Sequence, residues 1–118
     1  MATITLLLQA APHQSYRSAQ ALRYAKAAHA AGHQILQVFF YGDGVFHAHS
    51  QRQPVASAQA DDIVSAWQQW SAASQVPLQV CETLLEDFGV DGKVAGFSAH
   101  GLLSFAEAAS RSDRCIQF

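Results

Sequence analysis

The feature that most constrains this chain is an alternation. Short apolar, β-prone runs at 3–8 (TITLLL), 34–41 (QILQVFFY) and 78–81 (LQVC) are separated by longer stretches with helical spacing. The first run is apolar on nearly every residue rather than every second one. That pattern suits a strand covered on both faces of a parallel sheet. Helices are predicted from about Ser15 to Ala31, from about Asp61 to Ser74, over 84–88 and over about 99–110. Gly32 stands where a glycine would end the first helix, and Pro77 blocks continuation of the second. Two weaker runs, VAGFS (94–98) and RCIQF (114–118), predict a short fourth strand and a closing strand. The fold expected is α/β, a three-layer sandwich around a mostly parallel sheet of four to five strands. A length of 118 residues is about one ordinary domain, here 1–118.

Details inside these elements carry further expectations. Ile63, Trp67 and Trp70 fall at i, i+4 and i+7, so the tryptophans read as core or interface anchors. The acidic pair Asp61 and Asp62 sits where the dipole of that helix favours negative charge. The stretch VFHAHSQRQPVASAQA predicts a short helical turn and then a loop around Pro54. Ser98 is the expected cap of the last helix, with Leu102, Ala106 and Ala109 along one side.

Composition removes several function classes. Hydrophobic residues make up 50% and charged residues 14%, which leaves little charge to keep a large surface in water. A surface covered by a partner subunit is one reading; a small alanine-rich domain is the plainer one. The net charge is −2 and there is no Lys/Arg run, so direct nucleic-acid binding is not indicated. No apolar stretch is long enough to cross a bilayer, and MATITLLLQAAP lacks the positive start of a signal peptide. GDG (42–44) is too short for a phosphate loop, and neither GxGxxG nor GxxxxGK[ST] occurs. Cys81 and Cys115 form no CxxC pair and no disulfide framework, which suits a reducing cytosol.

Chemistry in open parallel sheets gathers outside the carboxyl ends of the strands. Two segments lie there, YGDGVFHAH after the second strand and CETLLED after the third; whether they are neighbours depends on strand order. Thr83 to Glu86 fits a capping box, with Thr83 as the N-cap. Cys81 then lies just ahead of a helix N-terminus, where free N–H groups favour a thiolate. Glu82, Glu86 and Asp87 oppose it. Local sequence leaves a reactive thiol and a buried, inert one equally open, since cysteine is among the most buried residue types. Cys115, inside a predicted strand with apolar neighbours, reads as structural. His47 and His49 form an H-x-H pair that could bind metal with Cys81, but no fourth ligand is evident, and polar loop histidines are the better reading. His13 could approach the same face, while His29 and His33 flank a helix end.

QVFFYGDGV (37–45), AWQQW (66–70), PLQVC (77–81) and DRCIQF (113–118), in this order, resemble the DsrE/TusD family of small sulfur-relay proteins. The match in order and spacing runs from Thr3 to Cys81 and again from about Phe97 to the end. AWQQ and DRxxQF lie nearer the TusD side of the family than DsrE of sulfur oxidisers. The resemblance implies a flavodoxin-like fold and a cytoplasmic heterohexamer with TusB- and TusC-like subunits. It implies that Cys81 is the persulfide carrier, taking sulfane sulfur from a TusA-like donor and passing it to a TusE-like acceptor. That relay ends in 2-thiolation of the wobble uridine of certain tRNAs, with no metal or organic cofactor and no membrane. A DsrE-like carrier in sulfur oxidation and a non-catalytic structural subunit are the alternatives. The stretch after Cys81 departs from the family: it is several residues shorter, lacks a basic pair and is acidic. Activation of the thiol then falls to the helix N-terminus, to a neighbouring subunit, or to His47 or His49 as a nearby cation.

Overall fold

The computed structural model describes residues 1–14, 16–52 and 62–118. The strands are β1 (Thr3–Leu8), β2 (Gln34–Phe40), β3 (Leu78–Cys81), β4 (Phe97–His100) and β5 (Arg114–Gln117). The helices are α1 (Arg17–Ala30), α2 (Ile63–Ser74), α3 (Glu82–Phe88) and α4 (Leu102–Arg111), and a 3-10 helix covers Gly42–Ala48. All strand pairs are parallel, in the order β4-β3-β2-β1-β5. This is the expected α/β architecture, with five strands among the described residues.

The order dictates the layers. From β1 to β4 each crossover steps one strand in the same direction, so right-handed connections put them on one face. The return from β4 to β5 runs the other way and puts α4 on the opposite face. Side-chain contacts agree. Phe40 of β2 packs on Trp67 of α2 at 5.5 Å and on Phe97 at 5.1 Å, while Phe39 faces Phe105 of α4 at 5.3 Å.

The two interfaces differ in chemistry. Between sheet and α1/α2 lie Leu6, Leu8, Val38, Phe40, Leu78, Val80 and Trp67, nearly all fully buried. Burial of one such side chain stabilises by about 1.5–3 kcal/mol, so this layer carries the fold. Under α4 the sheet offers Thr5, Gln37 and Gln79 beside Phe39. The Gln37 side-chain amide donates to the Ser104 carbonyl (3.2 Å), the Ser104 hydroxyl donates to Gln79 Oε1 (2.6 Å), and Thr5 and Ser112 share a hydroxyl bond of 2.5 Å.

Several local expectations are corrected. α4 begins at Leu102 with Gly101 as its N-cap, and Ser98 lies inside β4. The inner side of α4 is Phe105 and Ala108; Leu102 and Ala106 are exposed. No capping box forms at α3: its N-cap is Cys81, which makes no side-chain cap bond, and Thr83 lies within the helix. Four residues are too few for β4 to be marked by its own propensity; pairing with β3 defines it. Asp62 does cap α2, its carboxylate accepting from the Ser65 N–H. Trp67 and Trp70 are core residues, and Gly32 takes the left-handed φ of +91° expected after α1. Ser15, Pro54 and Asp61 fall outside the described residues.

Candidate functional site at the carboxyl ends of β3 and β4

β3 hands over to α3 on the α1/α2 side, and its neighbour β4 hands over to α4 on the other. The segment after α3 confirms the side, since the Gln68 side-chain amide of α2 donates to the Ala95 carbonyl at 2.6 Å. Adjacent parallel strands whose connections leave to opposite faces open a crevice at their carboxyl ends, where such sheets bind and react. Cys81 is the last residue of β3 and so lies at this switch point, buried at 3% exposure. Its register partner is His100, the last residue of β4.

Side-chain alternation gives the direction. Gln79 points to α4, where it meets Ser104, so Cys81 two residues on points to the same face. Phe97 points to Phe40 on the opposite face, so His100 three residues on shares the side of Cys81. On the other flank Tyr41 follows Phe40, the partner of Val80, and stacks with Phe39 at 6.4 Å. Tyr41, Cys81 and His100 therefore form a row across the rim of the sheet on the α4 side. YGDGVFHAH and CETLLED are neighbours, because β2 pairs with β3.

Of the two cysteines, Cys115 departs from the environment expected of it. Cys81 is 3% exposed, whereas Cys115 is exposed on the edge strand β5. A strand carrying apolar residues was expected to bury Cys115; strand order places it at the border instead. Partial burial pushes the Cys115 thiol pKa up. The carboxylates after Cys81 are less hostile than their spacing suggests. Glu82, Glu86 and Asp87 are all exposed, so water screens them.

His47 is fully buried and cannot serve as a cation near the thiol. Its Nε2 accepts from the Ser18 hydroxyl (2.8 Å), which itself accepts from the Trp67 indole N–H (3.0 Å); its Nδ1–H donates to the Gly44 carbonyl (2.8 Å). Burial pushes the imidazole pKa from 6.5 down to about 3, against the opposing effect of the Gly44 bond, with Arg52 and His13 adding to the fall. With both nitrogens engaged, the H-x-H pair does not offer two metal donors. Among the described residues no three His, Cys, Asp or Glu side chains gather as a metal site would need. His49 packs edge-on to Phe46, which stacks on Phe88 at the far end of α3, away from Cys81.

His13 reaches Asp62 on the α2 side, with 3.2 Å between His13 Nε2 and Asp62 Oδ1, so it does not face the thiol. Asp62 also accepts from Arg52 at 2.5 Å. Burial works against the charge on Asp62, but the bonds from Arg52, His13 and the Ser65 N–H outweigh it and hold the carboxyl well below the usual carboxylate range. An open cleft of about 440 Å³ is lined by His29, His33, Gln34 and Ser74, at the amino ends of the strands and opposite the thiol. His33 there accepts from the Ala2 N–H at 3.0 Å.

His100 is the residue that sequence reasoning missed. Its position follows only from the register of β4, and a strand ending at Ser98 had assigned it to the following helix.

Residues 2–118 match the DsrE/DsrF-like family. The chain is 32% identical to a protein named sulfurtransferase TusD from Cronobacter sakazakii, across 97% of this chain and 98% of that one. It is 30% identical to a sulfurtransferase TusD from an Enterobacter species, across 96% and 97% of the two. The backbone matches the ychN protein from E. coli with a TM-score of 0.82 at 20% identity, covering all of both chains. It matches a conserved protein of unknown function from Bacteroides thetaiotaomicron with a TM-score of 0.68 at 16% identity, covering 98% and 94%. At those identities the structural likeness concerns the fold alone.

Proposed function

The chain belongs to the DsrE/DsrF-like family, and from that premise we propose that it is a sulfurtransferase subunit of a sulfur relay, with Cys81 as the persulfide carrier. The relay role is favoured by two TusD-named relatives aligned over nearly the whole chain. The observation that carries the assignment to Cys81 is its place at the carboxyl end of β3, in the crevice between connections leaving to opposite faces.

The chemistry resembles thiol–disulfide exchange. The Cys81 thiolate attacks the outer sulfur of a donor persulfide. A sulfur–sulfur bond forms on Cys81, the donor's bond breaks, and the donor leaves as a thiolate that takes up a proton. No net oxidation occurs, and no metal or organic cofactor is required by the balance. The finer reading is the one the sequence resemblance implies: a TusA-like donor, a TusE-like acceptor, TusB- and TusC-like partner subunits in the cytoplasm, and 2-thiolation of tRNA wobble uridine as the outcome. The whole 1–118 stretch acts as one domain in it. No helix among the described residues is long and apolar enough to cross a membrane.

One observation favours a second reading. At 3% exposure Cys81 is closed to partners in the isolated chain, as a structural subunit with an inert thiol would have it. Intact-protein mass spectrometry after incubation with a persulfidated donor separates the two. Gain of one sulfur by the wild type and none by Cys81→Ser supports the carrier. No gain by either, alone or in the co-expressed complex, supports the structural subunit.

A further inference from the structure

We propose that His100 takes the proton of the Cys81 thiol and hands it to the leaving donor thiolate during sulfur transfer. The inference rests on Cys81 being the carrier. The two residues are register partners on adjacent parallel strands, so their backbones run about 4.8 Å apart. Both side chains rise on the α4 face. The imidazole is partly exposed, and among the described residues its ring nitrogens have no hydrogen-bond or ion-pair partner. The ring can therefore turn about its side-chain torsions without breaking a bond to the described residues.

The surroundings leave this role to His100. β3, β4, α3 and the first turn of α4 hold no Lys or Arg, so the imidazole is their one cationic candidate. The other titratable groups around the rim include Tyr41 after β2, Asp43 and His49 in and after the 3-10 helix, Glu82, Glu86 and Asp87 on α3, and Glu107 farther along α4. None of these is a nitrogen base in register with Cys81.

The step balances. His100 takes the proton from Cys81; the thiolate attacks the outer sulfur of the donor persulfide; the donor thiolate leaves and takes the proton back from the imidazolium. Cys81 ends as a persulfide and the donor as a thiol.

The test uses the full chain carrying Cys115→Ser, so that Cys81 alone reports, with and without His100→Gln. Iodoacetamide alkylation of Cys81 is followed from about pH 6 to 9, the range in which imidazole and thiol titrate. Sulfur loading from a persulfidated donor is measured in parallel, and urea unfolding confirms that both proteins fold. In His100→Gln the alkylation profile is expected to move to higher pH, with a rate at neutral pH about threefold lower for each unit moved, since a more basic thiolate is also more nucleophilic. Loading falls in step. Identical profiles with loading intact would overturn the role of His100 and leave the relay standing. A shifted profile with no loading in the parent would support the thiol–imidazole pair and sink the relay.

Discussion

The Ser18 hydroxyl lies 2.8 Å from His47 Nε2 and joins α1 to the 3-10 helix after β2. With Trp67 donating to the same hydroxyl, one serine satisfies two buried polar groups on two other elements. Ser18→Ala strands both, and each unsatisfied group costs about 1–3 kcal/mol. A loss of about 2–4 kcal/mol is expected in urea unfolding. Sulfur loading per folded molecule should stay at the parent level, since the cluster lies on the face away from Cys81.

The same histidine makes stability depend on pH. Its folded pKa, about 3, lies below the ordinary 6.5. The unfolded chain therefore binds the extra proton between those values, and its population grows as pH falls. The His47 contribution is fully present above pH 6.5 and is lost progressively toward pH 3, with a slope of up to ~1.4 kcal/mol per pH unit. Urea titrations in this range should show that slope in the parent and lose it in His47→Gln. An unchanged slope in the variant would refute the assignment.

Thiol reagents should meet the two cysteines in the reverse of their functional order. Cys115 is exposed on an edge strand, so a bulky disulfide reagent labels it first; Cys81 follows only as the crevice opens. Peptide mapping after partial labelling reads this directly. Cys115→Ala should change stability by no more than about 0.5 kcal/mol and leave sulfur loading intact, as expected for an exposed side chain with little packing to lose. Faster labelling of Cys81 than of Cys115 would mean that the crevice stands open in solution.

The inner strands were legible because burial on both faces demands apolar runs, and Thr3–Leu8, Gln34–Phe40 and Leu78–Cys81 are such runs. Cys81 was legible through its place after one of them. What stayed hidden depends on strand order, a long-range property that no local pattern encodes. Order puts β5 at the border and exposes Cys115, and order with register sets His100 beside Cys81. The capping box failed for a related reason. β3 ends at Cys81 and the helix starts on the next residue, so Thr83 arrives too late to cap it. His47 misled because a histidine in a turn usually meets water, and here the turn folds inward over Phe40, 4.8 Å away.

Asp62 anchors the start of α2 in two ways, as the acceptor of the Ser65 N–H and as the partner of Arg52. Asp62→Asn keeps the first and weakens the second; Asp62→Ala loses both. The alanine variant should be the less stable of the two by about 1 kcal/mol, the usual worth of a capping oxygen. Because the folded pKa of Asp62 is lowered, its contribution is present above the ordinary carboxylate value of 3.8 and is lost as pH falls below it. Asp62→Asn should flatten the acid limb of the stability curve there and, because the Asp62 charge works to raise the His47 pKa, move the His47 window to lower pH. Equal stability of the asparagine and alanine variants would refute the capping role.

α4 lies on the face of the sheet to which Cys81 points and reaches β3 through the Ser104–Gln79 bond. That layer is held by hydrogen bonds among Gln37, Gln79, Ser104, Thr5 and Ser112, with Phe105 and Ala108 as its main apolar contacts. Water can replace such bonds, so each adds only about 0.5–1.5 kcal/mol net. The opposite layer buries Ala21, Leu22, Ala25, Val64 and Trp67. Local opening follows the weaker layer. Amide hydrogen exchange should therefore be faster over α4 than over the buried side of α1, by at least about tenfold if their stabilities differ by ~1.4 kcal/mol. Gln37→Leu gives up the bond to the Ser104 carbonyl, but it also removes a buried Oε1 that has no partner among the described residues and adds apolar contact; on balance it should slow exchange over α4 and slow the labelling of Cys81 with it. Slower exchange without slower labelling would show that the thiol opens by a route that does not involve α4.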